Sequence, residues 1–189
     1  MDRGRFASLP ADALDALHLS VGAELSAGRL AHLQYLADVE AAYRAAVRAL
    51  ATRARARGDL RRRLVQKQHP PEAVDGALAR LTDQGLLDDQ RFAQDHVTRR
   101  GASRGPARLV ADLVAQGVDR RVADTVVRDT LAEEQIDPAA TLRAVATRRA
   151  AQVANLPRPT RKRRLLAYLA RRGYPGAEVR EIVDELLGE

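Results

Sequence analysis

The chain has 189 residues, with 32 Lys and Arg against 25 Asp and Glu, a net charge of +7, 46% apolar residues and only 3% aromatic ones. This is a globular composition for one domain or two small ones, with a core of Leu, Val and Ala. The absence of Cys excludes disulfides, thiolate zinc sites and Cys nucleophiles; there is no apolar run near the ~20 residues that span a bilayer, and no secretory signal, so a cytoplasmic location is expected.

Taken in chain order, residues 1–40 form an extension or cap of net charge −3. Arg5–Leu9 reads as a strand remnant and Pro10–Leu17 as a short helix, and Ser26 is placed to cap a longer one. Leu33, Leu36, Val39, Tyr43, Val47 and Leu50 continue a helical stripe into the next region.

From there one unit recurs three times, at 60–81, 109–127 and 165–187. Each opens on two Leu four apart: Leu60 and Leu64, Leu109 and Leu113, Leu165 and Leu169. That spacing puts both on one helix face. A break follows, at Gln68–Pro71, at Gly117–Asp119 and at Gly173–Gly176. Gly suits the position past a helix end, Pro the first turn of the next helix, and Asp119 a cap. A second helix then starts on Val74 and Leu78, Val122 and Val126, or Val179 and Val183, with the turn of the second unit read as one residue shorter.

A lead helix precedes each hairpin: Ala45–Arg57, ended by Gly58 and followed by an Asp59 cap; Arg91–Arg100; and Thr141–Ala154, after which Thr160 caps the next helix. The expectation is an all-α fold of three tandem three-helix repeats, at 41–90, 91–137 and 138–189, in an elongated, curved body.

Familiar chemistry is missing. His18, His32, His69 and His96 form no metal-ligand spacing, and there is no phosphate loop, nucleophile elbow or dinucleotide fingerprint. Asp88 and Asp89 precede a helix and read as caps rather than as a metal pair. The chain is therefore expected to be no enzyme and to hold no cofactor or metal.

Basic clusters are the remaining candidates. Arg61, Arg62 and Arg63 lie in the second helix of the first unit. Arg104 and Arg108 flank the start of its counterpart, and Arg161, Lys162, Arg163 and Arg164 open the third. Arg148, Arg149, Arg171 and Arg172 add to these. Arg presents a planar fork to phosphates and carboxylates, so a polyanion or an acidic protein surface is the expected partner.

Gly85-Leu86-Leu87-Asp88-Asp89-Gln90-Arg91-Phe92-Ala93 resembles the signature of the RecX regulatory proteins. Asp59–Leu64, His69-Pro70 and Ala77–Leu81 resemble that family's first unit, Arg99, Gly105-Pro106 and Gly117-Val118 its second, and Arg172-Gly173-Tyr174 with Val179 and Val183 its third. The resemblance covers about residues 41–187 and departs in the long N-terminal extension and the scarcity of Lys. It implies a regulator that lies in the groove of the RecA–DNA filament and restrains ATP hydrolysis, filament growth and strand exchange. Charge without base readout predicts weak binding to single- and double-stranded DNA without sequence preference, and a monomer is expected. A helix–turn–helix DNA-binding protein and a helical adaptor for another acidic protein are the alternative readings.

Overall fold

The computed structural model describes Leu9 and residues 24–188. The expected Pro10–Leu17 helix lies outside the described residues, as does the Arg5–Leu9 strand apart from Leu9. The described residues form nine α-helices and no strand. These are α1 (Ala27–Thr52), α2 (Arg57–Gln66), α3 (Pro71–Asp83), α4 (Asp89–Arg100), α5 (Pro106–Ala115), α6 (Arg120–Glu133), α7 (Pro138–Gln152), α8 (Arg158–Arg171) and α9 (Ala177–Leu187). A 3₁₀ turn at Gly101–Ser103 joins α4 to α5. The chain divides into two compact units, residues 1–88 with α1–α3 and residues 89–189 with α4–α9.

Three helices at a time share one burial pattern. The first helix buries Ala42, Ala45 and Ala46 in α1, Ala93, His96 and Val97 in α4, and Leu142, Val145 and Ala146 in α7. The second buries the Leu pairs of α2, α5 and α8, as their spacing requires. The third buries Val74 and Leu78, Ala123 and Val127, or Val179 and Val183. In α6 the inward residue is thus Ala123, while Val122 is half-buried, which corrects the reading of a shorter second turn. The separation from Leu113 to Ala123 is ten residues, as it is from Leu64 to Val74 and from Leu169 to Val179.

The turns repeat as well. After each Leu-bearing helix the chain passes through positive φ, at Gln68, Gly117 and Gly173. The next N–H reaches back five residues: His69 to Leu64 O, Val118 to Leu113 O and Tyr174 to Leu169 O, at 3.1–3.2 Å. This closure satisfies carbonyls that a helix end otherwise leaves open.

Several expected boundaries shift. The lead helix of the first unit begins at Ala27, capped by Ser26 Oγ on the Arg29 N–H, and runs unbroken through residues 40 and 41. It ends at Thr52, not Arg57, because the Thr52 hydroxyl and the Arg55 guanidinium both donate to Ala49 O and turn the chain away. Gly58 therefore sits inside the first turn of α2 instead of ending α1, and Asp59 carries arginines instead of a cap. Asp119 caps α6 as expected, and Asp137 caps α7. Thr160 is no cap, because α8 already begins at Arg158 behind Pro157, and its Pro159 occupies the first turn, where a missing N–H costs nothing.

Candidate partner-binding surface

The basic residues fall into two groups, according to whether a carboxylate holds them. In residues 1–88 the Arg61–Arg63 cluster closes on two carboxylates of the chain. Arg61 makes a forked pair with Asp75, at 2.7 and 3.0 Å, bridging α2 to α3. Arg63 lies 3.0 Å from Asp59 and Arg62 3.9 Å, and Arg55 approaches the same carboxylate at 2.9 Å. Burial alone would raise the Asp59 carboxyl, but the hydrogen bonds and charges of Arg55 and Arg63 outweigh it and hold it below its ordinary value.

In residues 89–189 Asp112 takes both Arg104 and Arg108, the latter at 2.9 Å. His96 sits beside them, 6% exposed, with Nε2 4.0 Å from Asp112 and Nδ1 3.3 Å from the Gln116 amide. Its equivalents in the other cores are Ala45 and Val145. Burial depresses its pKa, as do the charges of Arg100, Arg104 and Arg99, against the pull of Asp112.

The Arg172 cluster is partly structural. The Gly105 N–H donates to Arg172 O at 2.8 Å, and the Arg172 guanidinium donates to Ser103 O at 3.0 Å. A Cβ on Gly105 would stand 2.3 Å from Gly173 O, and one on Gly173 2.3 Å from Arg108 N. The Gly105-Pro106 and Gly173-Tyr174 motifs, far apart in sequence, therefore meet backbone to backbone. Tyr174 is buried beside this joint, and burial pushes its hydroxyl up to about 12 despite Arg172.

Arg149 and Arg172 both lie over the Tyr168 ring, at 5.0 and 5.1 Å from its centre. Arg149 also donates to the Gln152 side chain at 2.8 Å, and Lys162 pairs with Asp184 at 2.5 Å. Arg161 is half-buried, with an unpartnered Nε. Arg148, Arg163, Arg164 and Arg171 are exposed and make no side-chain hydrogen bond or ion pair within the described residues.

One feature escaped the reading by residue type. Pro106, Ala107, Val110 and Ala111 of α5 face Val127 and Leu131 of α6 across an open groove of about 570 Å³. At the equivalent places the first and third three-helix sets carry the Arg61–Asp75 and Lys162–Asp184 pairs. The signal in the sequence is that α5 is apolar on two faces, with Val110 and Val114 beside the inward Leu pair.

Among the described residues no group of His, Asp or Glu is arranged to hold a metal ion, and no helix is long and apolar enough to cross a membrane. The fold and its surface define a protein of tandem three-helix units whose exposed chemistry is dominated by arginine. The chain belongs to the RecX family. Residues 42–81 match the family's first three-helix domain and residues 135–183 its third. The chain is 38% identical over 156 residues to the regulatory protein RecX of Thermobifida fusca, covering 80% of this chain and 83% of that one. With the namesake of Halorhodospira halophila the identity is 36% over 143 residues, covering 75% and 85%. A crystal structure of regulatory protein RecX superposes with a TM-score of 0.74 at 22% identity, over 98% of this chain and 92% of that one. RecX from Lactobacillus salivarius gives 0.63 at 19% identity, over 79% and 96%.

Proposed function

We propose that this chain is a non-catalytic, cytoplasmic regulator that binds the RecA–DNA filament as a monomer and restrains RecA's ATPase, filament extension and strand exchange. Membership of a family of regulatory proteins carries this reading. The chemistry of the surface supports it, since arginine forks suit the phosphates and carboxylates of a nucleoprotein polymer. Several weak, spaced contacts with one partner also gain from high effective concentration.

The test is direct binding. Fluorescently labelled chain is titrated with RecA assembled on single-stranded DNA and held by a slowly hydrolysed ATP analogue. Saturable binding to the filament, much tighter than to the same DNA without RecA, is the expected result. Equal affinity for filament and bare DNA would favour a plain DNA-binding protein.

A further inference from the structure

From Pro138 to Gly176 the sequence contains ten basic residues and no Asp or Glu. That stretch comprises α7, α8 and their connections. The four acidic residues of this three-helix set that are described, Glu178, Glu181, Asp184 and Glu185, all belong to α9. Two of them are engaged, Asp184 by Lys162 and Glu185 by Arg143. The basic clusters of α2 and α5 differ, because each closes on a carboxylate, Asp59, Asp75 or Asp112.

We propose that the acid-free face of α7 and α8, through Arg148, Arg163, Arg164 and Arg171, is the surface that grips the DNA phosphate backbone, and that the basic clusters at α2 and α5 do not. This rests on the filament-binding reading and assigns the nucleic-acid part of it to one place.

Helix geometry supports the assignment. With Leu165 and Leu169 turned inward, Arg163, Arg164 and Arg171 fall on the outward side of α8. Arg164 and Arg171 are two turns apart on one face, roughly 10 Å, flanked by Ala167 on one side and the half-buried Tyr168 on the other. Arg171 lies in the last turn, where the helix dipole favours a cation. Arg149 and Arg172 are committed to Tyr168, and this pins α7 and the end of α8 together. A guanidinium without an internal carboxylate reaches a phosphate without first breaking an ion pair. Four separate cations with no hydrogen-bonded base-reading partner suit phosphates rather than sequence.

The salt dependence of DNA binding tests this. A labelled DNA duplex is titrated with the full chain at a series of salt concentrations. A variant with Arg148, Arg163, Arg164 and Arg171→Ala should lose most affinity and flatten the log–log salt slope by about 3–4, since each phosphate contact contributes about 0.9. Replacing Arg61, Arg62 and Arg63→Gln should change the slope by less than about 1. The four-fold Arg→Lys variant keeps the charge and should keep the slope, which separates lost charge from lost fold. An unchanged slope in the Ala variant, or an equal loss in the α2 variant, would overturn the proposal. So would an Ala variant that loses its effect on RecA while binding DNA normally, because the face would then contact protein. A native chain that ignores RecA but shows the expected slopes would sink the filament reading and leave this assignment standing.

Discussion

His96 occupies a core position that the other two three-helix sets fill with Ala45 and Val145, and its Nε2 is buried without a hydrogen-bond partner. Burial and the neighbouring arginines depress its pKa below the ordinary value near 6.5. A group depressed in the folded state contributes stability that is complete above the unfolded pKa and is lost as pH falls through the folded one. The chain should therefore lose stability as pH falls below about 6.5. His96→Val should remove that dependence and change stability at pH 7.5 by no more than about 1 kcal/mol, since it removes an unpaired buried Nε2 together with the Nδ1 contact to Gln116. Thermal melts at pH 7.5 and 5.5 check this, and an equal acid shift in both proteins contradicts it. A second residue-scale expectation concerns Gln68, which takes the positive φ that Gly117 and Gly173 take at the matching turns. Gln68→Gly should raise stability by about 0.5–1 kcal/mol in urea titrations, through relief of left-handed strain offset by a more flexible unfolded chain. A loss of stability would show that the Gln68 side chain matters more than its backbone.

Among the elements, the backbone contact between Gly105 and Gly173 fixes the start of α5 against the turn before α9. A methyl group at Gly105 would have to displace a carbonyl rather than a flexible side chain. Gly105→Ala should cost about 1–3 kcal/mol by overpacking, whereas Gly28→Ala, with nothing within 4 Å, should cost nothing. Equal urea midpoints for the two variants would contradict this. Most helices were legible from the Leu pairs and their turns, since a buried pair four residues apart leaves little choice of face. The unreadable boundaries were those set by side chains acting on the backbone at a distance. Arg55 and Thr52 both bind Ala49 O at the end of α1, and in a segment with arginines at 53, 55 and 57 the sequence alone does not say which one closes the helix. The basic clusters were legible as sequence, but not their pairing. Asp75 and Asp112 neutralise arginines that lie 14 and 8 or fewer residues away, and only folding shows which carboxylates come within reach.

At the scale of the whole molecule, charge is distributed by engagement rather than by count. The net charge of +7 is carried by arginines that mostly serve the chain's own acids in the first two three-helix sets, and by an acid-free pair of helices in the third. Exposed ion pairs of this kind add little stability, typically about 0.2–1 kcal/mol each. Under the proposed function, a regulator built this way would need no reactive group, because it would act by occupying a polymer that does the chemistry. The most direct test is the DNA-dependent ATPase of RecA from a bacterium closely related to the source of this chain, measured on single-stranded DNA as the native chain is titrated in. The account predicts a progressive fall in the steady-state rate at chain concentrations below that of RecA, with no ATP hydrolysis by the chain alone. A rate that stays constant up to and beyond equal concentrations, with the chain folded throughout, would contradict it.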